Sequence, residues 1–233
     1  MKVLFVAIAW FLSVSYLSAQ NPLDAPEKEQ TLQAEDFSDV IKSVWDVVKK
    51  GADDYHDELR TRNEFETATD FDARMLQRHN DIAAKIQAFA DEKKISERVF
   101  AVWMPARLVK YNADTQTYTV STSTQIEVPP RSEDIATRCP QNQYISLVEK
   151  SRQGYRFANL SLAAKPEYTW HVDRQTALGA KSDEPNVFFK VWFRIDMSQA
   201  FTGATGELTI IPIKISLVNK GSNVTYWSDD IIK

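Results

Sequence analysis

One change in hydrophobic periodicity divides the chain and constrains its fold more than any other feature. Apolar residues recur at helical spacing in the N-terminal part, and from Val99 onward they alternate at every second residue. Helical spacing is typical of amphipathic helices, and alternation is typical of half-buried strands. Helices followed by strands predict an α+β fold with N-terminal amphipathic helices packed on a mainly antiparallel β-sheet. Because each helix needs the sheet to cover its apolar stripe, we predict one domain over residues 35–233, helical over 35–98 and β-rich over 99–233.

The helical part contains two amphipathic stretches. The first begins at Asp36 and reaches Gly51 at the position where glycine ends many helices. The second is predicted over Asp70–Lys93. Between them, Asp53–Asp72 is rich in carboxylates and is predicted to be a solvated helical or irregular stretch. We therefore interpret His56, which lies in this stretch, as part of an acidic surface rather than as a metal ligand or pH sensor.

Residues 1–19 have the pattern of a secretory signal peptide. Lys2 precedes the apolar run VLFVAIAWFL, and cleavage is expected after Ala19. The alternative, an uncleaved N-terminal anchor, is less favoured because the apolar run is short for a bilayer span. Residues 20–34 contain two prolines and few apolar side chains, and we predict a flexible linker there. The protein is thus predicted to be exported, to a bacterial periplasm or the extracellular space, and not to be integral to the membrane once the leader is removed.

Charge and cysteine content narrow the classes of partner and cofactor. The formal net charge is −4 at pH 7, so the chain as a whole has no electrostatic attraction to nucleic acid, and we predict no nucleic-acid partner. Cys139 is the only cysteine, which excludes an intrachain disulfide and cysteine-rich metal sites. The lack of a disulfide framework fits a periplasmic protein better than a small extracellular module.

Catalytic signatures are absent from the sequence. It has no Gly-x-Ser-x-Gly elbow, no His-Glu-x-x-His helix, no Walker loop and no Gly-x-Gly-x-x-Gly loop. We therefore predict no catalytic residue, metal or cofactor, and favour a binding or structural protein over an enzyme. One alternative is a hydrolase of an envelope or extracellular polymer, in which His171 would pair with Asp173 or with carboxylates elsewhere and act as a general base.

The segment NVFFKVWFRI holds the best candidate for a binding site. Alternation predicts a strand whose core face comprises Val187, Phe189, Val191, Phe193 and Ile195. Its other face comprises Phe188, Lys190, Trp192 and Arg194. This second face could stack sugar rings or bind an anionic or aromatic ligand, and its predicted partner is a protein or a saccharide. The interpretation favoured by the sequence is nevertheless that the helices cover this face, so that Trp192→Ala would mainly lower stability.

A second strand offers a different route to a partner. In ELTIIPIKISLV, alternation places one set of apolar residues on a shared core face: Ile211, Ile213, Ile215 and Leu217. Pro212 lacks a ladder donor, which predicts either an edge strand or a β-bulge. If the strand is an edge, a partner protein could add a strand of its own to it.

The order of these segments resembles that of a group of exported bacterial domains. A long charged helix is followed by VFAVWMPARLVKYNADTQTYTV, then VFFKVWFRID, then ELTIIPIKISLV. This layout, from Asp70 to Leu217, resembles uncharacterised exported bacterial α+β domains of unknown function. The resemblance implies the fold and export, and it implies no chemistry.

Overall fold

The structure, a computed structural model, describes residues 21–130, 132, 134–150 and 159–232. It confirms the α+β fold, with the long helices near the N-terminus and mainly antiparallel sheets after them. The predicted leader over residues 1–19 lies outside the described residues. Within the described ranges, no helix is both long and apolar enough to cross a membrane.

Three α-helices are described, and the first is longer than predicted. They are α1 (Ala34–Leu59), α2 (Ala68–Glu92) and α3 (Arg174–Ser182). The prediction that Gly51 ends the first helix is wrong, because this residue lies inside α1 where α2 crosses it. A Cβ atom at Gly51 would lie 2.9 Å from Ile86 Cδ1 and 3.0 Å from Ile82 Cγ2. The glycine is therefore explained by the close approach of two helices and not by helix termination.

Twelve strands are described, and they form one large sheet and two small ones. In chain order they are β1 (Glu29–Leu32), β2 (Val99–Pro105), β3 (Arg107–Asn112), β4 (Thr117–Ser121), β5 (Gln125–Val128), β6 (Ile135–Arg138), β7 (Ile145–Lys150), β8 (Asn159–Ala164), β9 (Tyr168–His171), β10 (Val187–Asp196), β11 (Gly206–Asn219) and β12 (Val224–Asp230). The main sheet has the order β1-β2-β10-β11-β12, and β6 pairs with the beginning of β11. The small sheets are β3-β4-β9 and β5-β8-β7.

One face of the main sheet forms the core with α1. The Phe37 ring of α1 lies 5.1 Å from the Phe193 ring and 5.5 Å from the Phe100 ring, measured between centroids. At the other end of β10, the ring centroids of Phe189 and Tyr168 of β9 are 4.8 Å apart. The core face predicted for β10 is thereby confirmed, since its five odd-numbered residues are at most 2% exposed. This inner face is covered by α1 at one end and by the small sheets at the other.

The strand that contains Pro212 is not an edge of the sheet. Strand β11 pairs with β10 on one side and with β6 and β12 on the other. It therefore has no free edge to which a partner protein could add a strand. The alternative prediction, a bulge, is confirmed by a register shift between Phe193, opposite Pro212, and Trp192, opposite Lys214. Because the extra residue reverses the alternation, Ile211 and Ile213 lie on the outer face, contrary to the prediction.

The segment predicted as a linker is packed into the fold from Asn21 onward. Leu23 is 2% exposed, and β1 pairs in parallel with β2. The buried guanidinium of Arg98 donates hydrogen bonds to the carbonyl oxygens of Leu23 (2.9 Å) and Ala25 (2.8 Å). A buried cation needs such acceptors, and backbone carbonyls of an apparently featureless segment can supply them. The linker prediction for residues 20–34 is corrected accordingly.

Candidate functional site

The even-numbered side chains of β10 lie on the outer face of the main sheet, away from α1. Phe188, Lys190 and Trp192 are half-buried and Arg194 is exposed. The favoured interpretation, that the helices cover this face, is therefore wrong. The helices lie on one side of the sheet because α1 occupies the inner face and α2 packs on α1 around Gly51. The sequence shows that both long helices have an apolar stripe. It does not show that the stripe of α2 packs on α1 rather than on the sheet.

Six side chains on the outer face form a continuous row, which we call the cation–aromatic ladder. Its members, in order of contact, are Lys220, Phe188, Trp103, Lys190, Trp192 and Lys214. The Lys220 Nζ atom lies 5.4 Å from the Phe188 ring centroid, and the Phe188 and Trp103 centroids are 5.9 Å apart. The Lys190 Nζ atom lies 5.2 Å from the Trp103 centroid and 4.9 Å from the Trp192 centroid.

The register of the strands builds this ladder. Lys190 lies directly opposite Trp103 of β2, and Trp192 lies directly opposite Lys214 of β11. Directly paired residues on one face of a sheet are close enough for long side chains to meet. The Lys214 Nζ atom accordingly lies 5.3 Å from the Trp192 centroid. Ala101, opposite Trp192 on the other side, is small and leaves room for the indole to extend toward β1.

The indole of Trp192 is tied to the edge of the sheet. Its Nε1–H group donates a hydrogen bond to Glu29 Oε1 of β1 at 3.2 Å. Ammonium groups lie over both Trp103 and Trp192, two for each ring, in positions that a stacked sugar or base would need. The faces of both tryptophan rings are thus already contacted by ammonium groups, which does not favour the ring stacking considered from the sequence.

The cations of the outer face lack acidic partners within the part of the chain that the structure describes. None of Lys190, Arg194, Lys214 and Lys220 lies within 4.0 Å of a described carboxylate oxygen, whereas several other surface lysines do. These four cations form a local positive group on a chain of net charge −4, and the carboxylates of the same face lie around this group. The row of cations can therefore attract an anion locally although the protein as a whole is acidic.

Comparison with models of known families, with curated proteins and with solved structures gives no match to this chain. Its function is therefore inferred from the outer face itself. The resemblance to exported bacterial domains stays a prediction.

Three of the six ladder residues, Trp103, Lys214 and Lys220, were not identified from the sequence. Lys214 occupies an outer position in the alternating run after Pro212, a signal that the sequence does contain. Trp103 belongs to VFAVWMP, which has the composition of a buried strand, and only the pairing with β10 places it beside Lys190. Lys220 follows β11, and its contact with Phe188 depends on the turn that begins there. These two residues could not be assigned without the register.

The histidines do not form a catalytic site among the described residues. His171 is exposed at the end of β9 and has no hydrogen bond to a described carboxylate, while Asp173 caps α3 by accepting from the backbone of Gln175 and Thr176. The arrangement that a hydrolase would need is thus not observed in the described part. No group of three or more described His, Cys, Asp or Glu side chains is arranged to hold a metal ion.

His56 is less solvated than predicted. Its Nε2 atom lies 2.8 Å from the Ala204 carbonyl oxygen and 3.1 Å from Asp134 Oδ1, and it connects α1 to the loop before β11. In the same region His79 stacks on Phe201 with centroids 5.2 Å apart. Both histidines therefore help to hold this loop on the helices. The rest of Asp53–Asp72 is mostly exposed, partly helical and partly irregular, as predicted.

Cys139 is unsuited to nucleophilic chemistry at neutral pH. Its side chain is half-buried, and burial raises the pKa of the thiol to about 11. The thiolate is the reactive form, so a thiol with so high a pKa reacts slowly. The lone cysteine is thereby better explained as a packed side chain than as a functional group.

Proposed function

We propose that this chain is an exported binding protein and that the outer face of its main sheet binds an anionic ligand. The observation that carries the proposal is the cation–aromatic ladder, whose three lysines have no acidic partner among the described residues. Export is supported by the pattern of residues 1–19, and the expected location is a bacterial periplasm or the extracellular space.

A purely structural role explains the ladder less well. Contacts between lysine and an aromatic ring at exposed sites contribute only about 0.5–1 kcal/mol each. Against this, cations gathered on one surface repel one another, and acidic neighbours would relieve the repulsion. The structure has such neighbours at the margins: Glu29 hydrogen-bonds to Trp192, and Asp230 lies opposite Lys214 without forming an ion pair. The centre of the face is left positive, as an anion-binding surface requires.

Replacing the three ladder lysines by glutamine is expected to abolish anion binding. We expect the wild-type protein to be retained on a sulfonate cation exchanger at pH 7 and low salt despite its net charge of −4, because the outer face binds the matrix locally. The variant Lys190→Gln/Lys214→Gln/Lys220→Gln should elute in the flow-through. The measurement is the salt concentration at elution.

A matched control separates local from net charge. Lys28, Lys42 and Lys49 form ion pairs with Glu97, Asp46 and Asp53, and their replacement by glutamine changes the net charge by the same amount. This control triple should elute close to the wild-type protein. Equal elution of the two triples, or no retention of the wild-type protein, would contradict the proposed function.

A further inference from the structure

We infer that the anionic ligand is an acidic polysaccharide, a linear chain of uronate-containing sugars that lies along strands β10 and β11. This inference rests on the proposed function and names the ligand class for the same face. Three observations support it: the direction of the row of cations, the spacing of the ammonium groups, and the partial burial of the aromatic rings beneath those groups.

The cations are arranged along the strands and not across them. Lys190 and Arg194 are on β10, and Lys214 and Lys220 are in and just after β11. The acidic side chains of this face lie around the row: Glu29 and Asp230 are on the neighbouring strands, and Asp196 and Glu207 lie beyond Arg194 at one end. From the position of Lys220 to that of Arg194 the row is about 27 Å long, at 3.4 Å per residue. A ligand with many negative charges must follow this row, because crossing the sheet would bring it to the carboxylates.

The spacing within the row fits charges that recur along a sugar chain. Each tryptophan of the ladder has two ammonium nitrogens at 4.9–5.5 Å from its ring centroid. Two ammonium groups that share a ring are therefore separated by at most about 11 Å. A polyuronate carries one carboxylate on every sugar, so its negative charges recur at regular intervals along an extended chain. The lysines can thus each contact one carboxylate of the same chain.

The partial burial of the aromatic rings and the ammonium groups over them favour a saccharide over a single-stranded nucleic acid or an anionic membrane. Single-stranded nucleic acids bind largely by stacking bases on free aromatic faces, and here ammonium groups lie over the rings of Trp103 and Trp192. An anionic membrane would be bound by protruding aromatic side chains, and Trp103, Phe188 and Trp192 are all half-buried. Half-buried rings contacted by several ammonium groups instead suit a hydroxylated chain with spaced carboxylates, which binds without stacking.

The test compares defined ligands by calorimetry at low salt. The probes are hexagalacturonate, digalacturonate, the fully methyl-esterified hexamer, hexa-L-glutamate, a thymidine hexanucleotide and phosphatidylglycerol vesicles. We expect hexagalacturonate to bind at least about tenfold tighter than digalacturonate, since several lysines act on one chain. It should also bind at least tenfold tighter than hexaglutamate, and the uncharged methyl ester should not bind. Lys190→Gln should weaken hexagalacturonate binding about three- to tenfold, and Lys42→Gln should leave it unchanged.

The outcomes separate the two proposals. Equal binding of hexagalacturonate and hexaglutamate would overturn the saccharide class and leave the anion-binding face in place. Tighter binding of the nucleotide or of the vesicles would also overturn the saccharide class, in favour of that ligand. If none of the anionic probes binds, both the inference and the proposed function are wrong.

Discussion

Replacing Gly206 by alanine is expected to lower the free energy of unfolding by about 3 kcal/mol or more. Gly206 is the first residue of β11, and its N–H group donates to the Asp134 carbonyl oxygen at 2.8 Å. A Cβ atom there would lie 2.0 Å from the carbonyl oxygen of Ala200. This neighbour is backbone and cannot rotate away, so the strand that carries Lys214 would have to move.

The matched control is Gly179→Ala. Gly179 lies in α3, and a Cβ atom at this position would meet no atom within 4 Å. Alanine is a better helix former than glycine, so this substitution should stabilise the protein by about 0.5–1 kcal/mol. Urea unfolding followed by circular dichroism measures both variants. A Gly206→Ala protein as stable as the wild type would contradict the packing described for the beginning of β11.

Phe193→Ala is expected to cost about 3–5 kcal/mol, whereas Trp192→Ala should cost only about 1 kcal/mol. The two residues are adjacent in sequence and lie on opposite faces of β10. Phe193 is fully buried and packs on Phe37 of α1, so its removal leaves a cavity. Trp192 is half-buried and loses contacts with Lys190 and Lys214, which can be replaced in part by water.

The difference between these two costs tests which face the helices cover. Equilibrium unfolding of both single variants in the same denaturant gives it directly. If Trp192→Ala is as damaging as Phe193→Ala, the outer face is covered and the interpretation first favoured by the sequence is right. A small loss at Trp192 together with a large loss at Phe193 supports the open outer face.

The sequence allowed the fold class and one core face to be predicted, because both depend on local periodicity. Alternation identified Phe189 and Phe193 as core, and helical spacing identified both long helices. The errors came from contacts between distant segments. Gly51 looked like a terminator, although its role depends on α2, and residues 20–34 looked like a linker, although the carbonyl acceptors they provide are needed by Arg98.

The candidate site was predictable only in part. Phe188, Lys190, Trp192 and Arg194 share a strand, so alternation alone grouped them. Trp103 joins them through pairing with β2, and such register cannot be obtained from one strand at a time. Whether the face is open depended on which side of the sheet α1 and α2 occupy, and an amphipathic helix carries no sign of which sheet face it will cover. The bulge at Pro212 was indicated by the proline itself, but its effect on alternation was not.

The most direct test of the anion-binding face is the response of individual indole N–H groups to a polyanion. In a ¹H–¹⁵N spectrum of ¹⁵N-tryptophan-labelled protein titrated with polygalacturonate, we predict that the Trp103 and Trp192 signals shift progressively. The signals of Trp45 and Trp170, which are 8% and 5% exposed, should stay in place. Unchanged Trp103 and Trp192 signals, or equal shifts of Trp45 and Trp170, would contradict binding at the outer face.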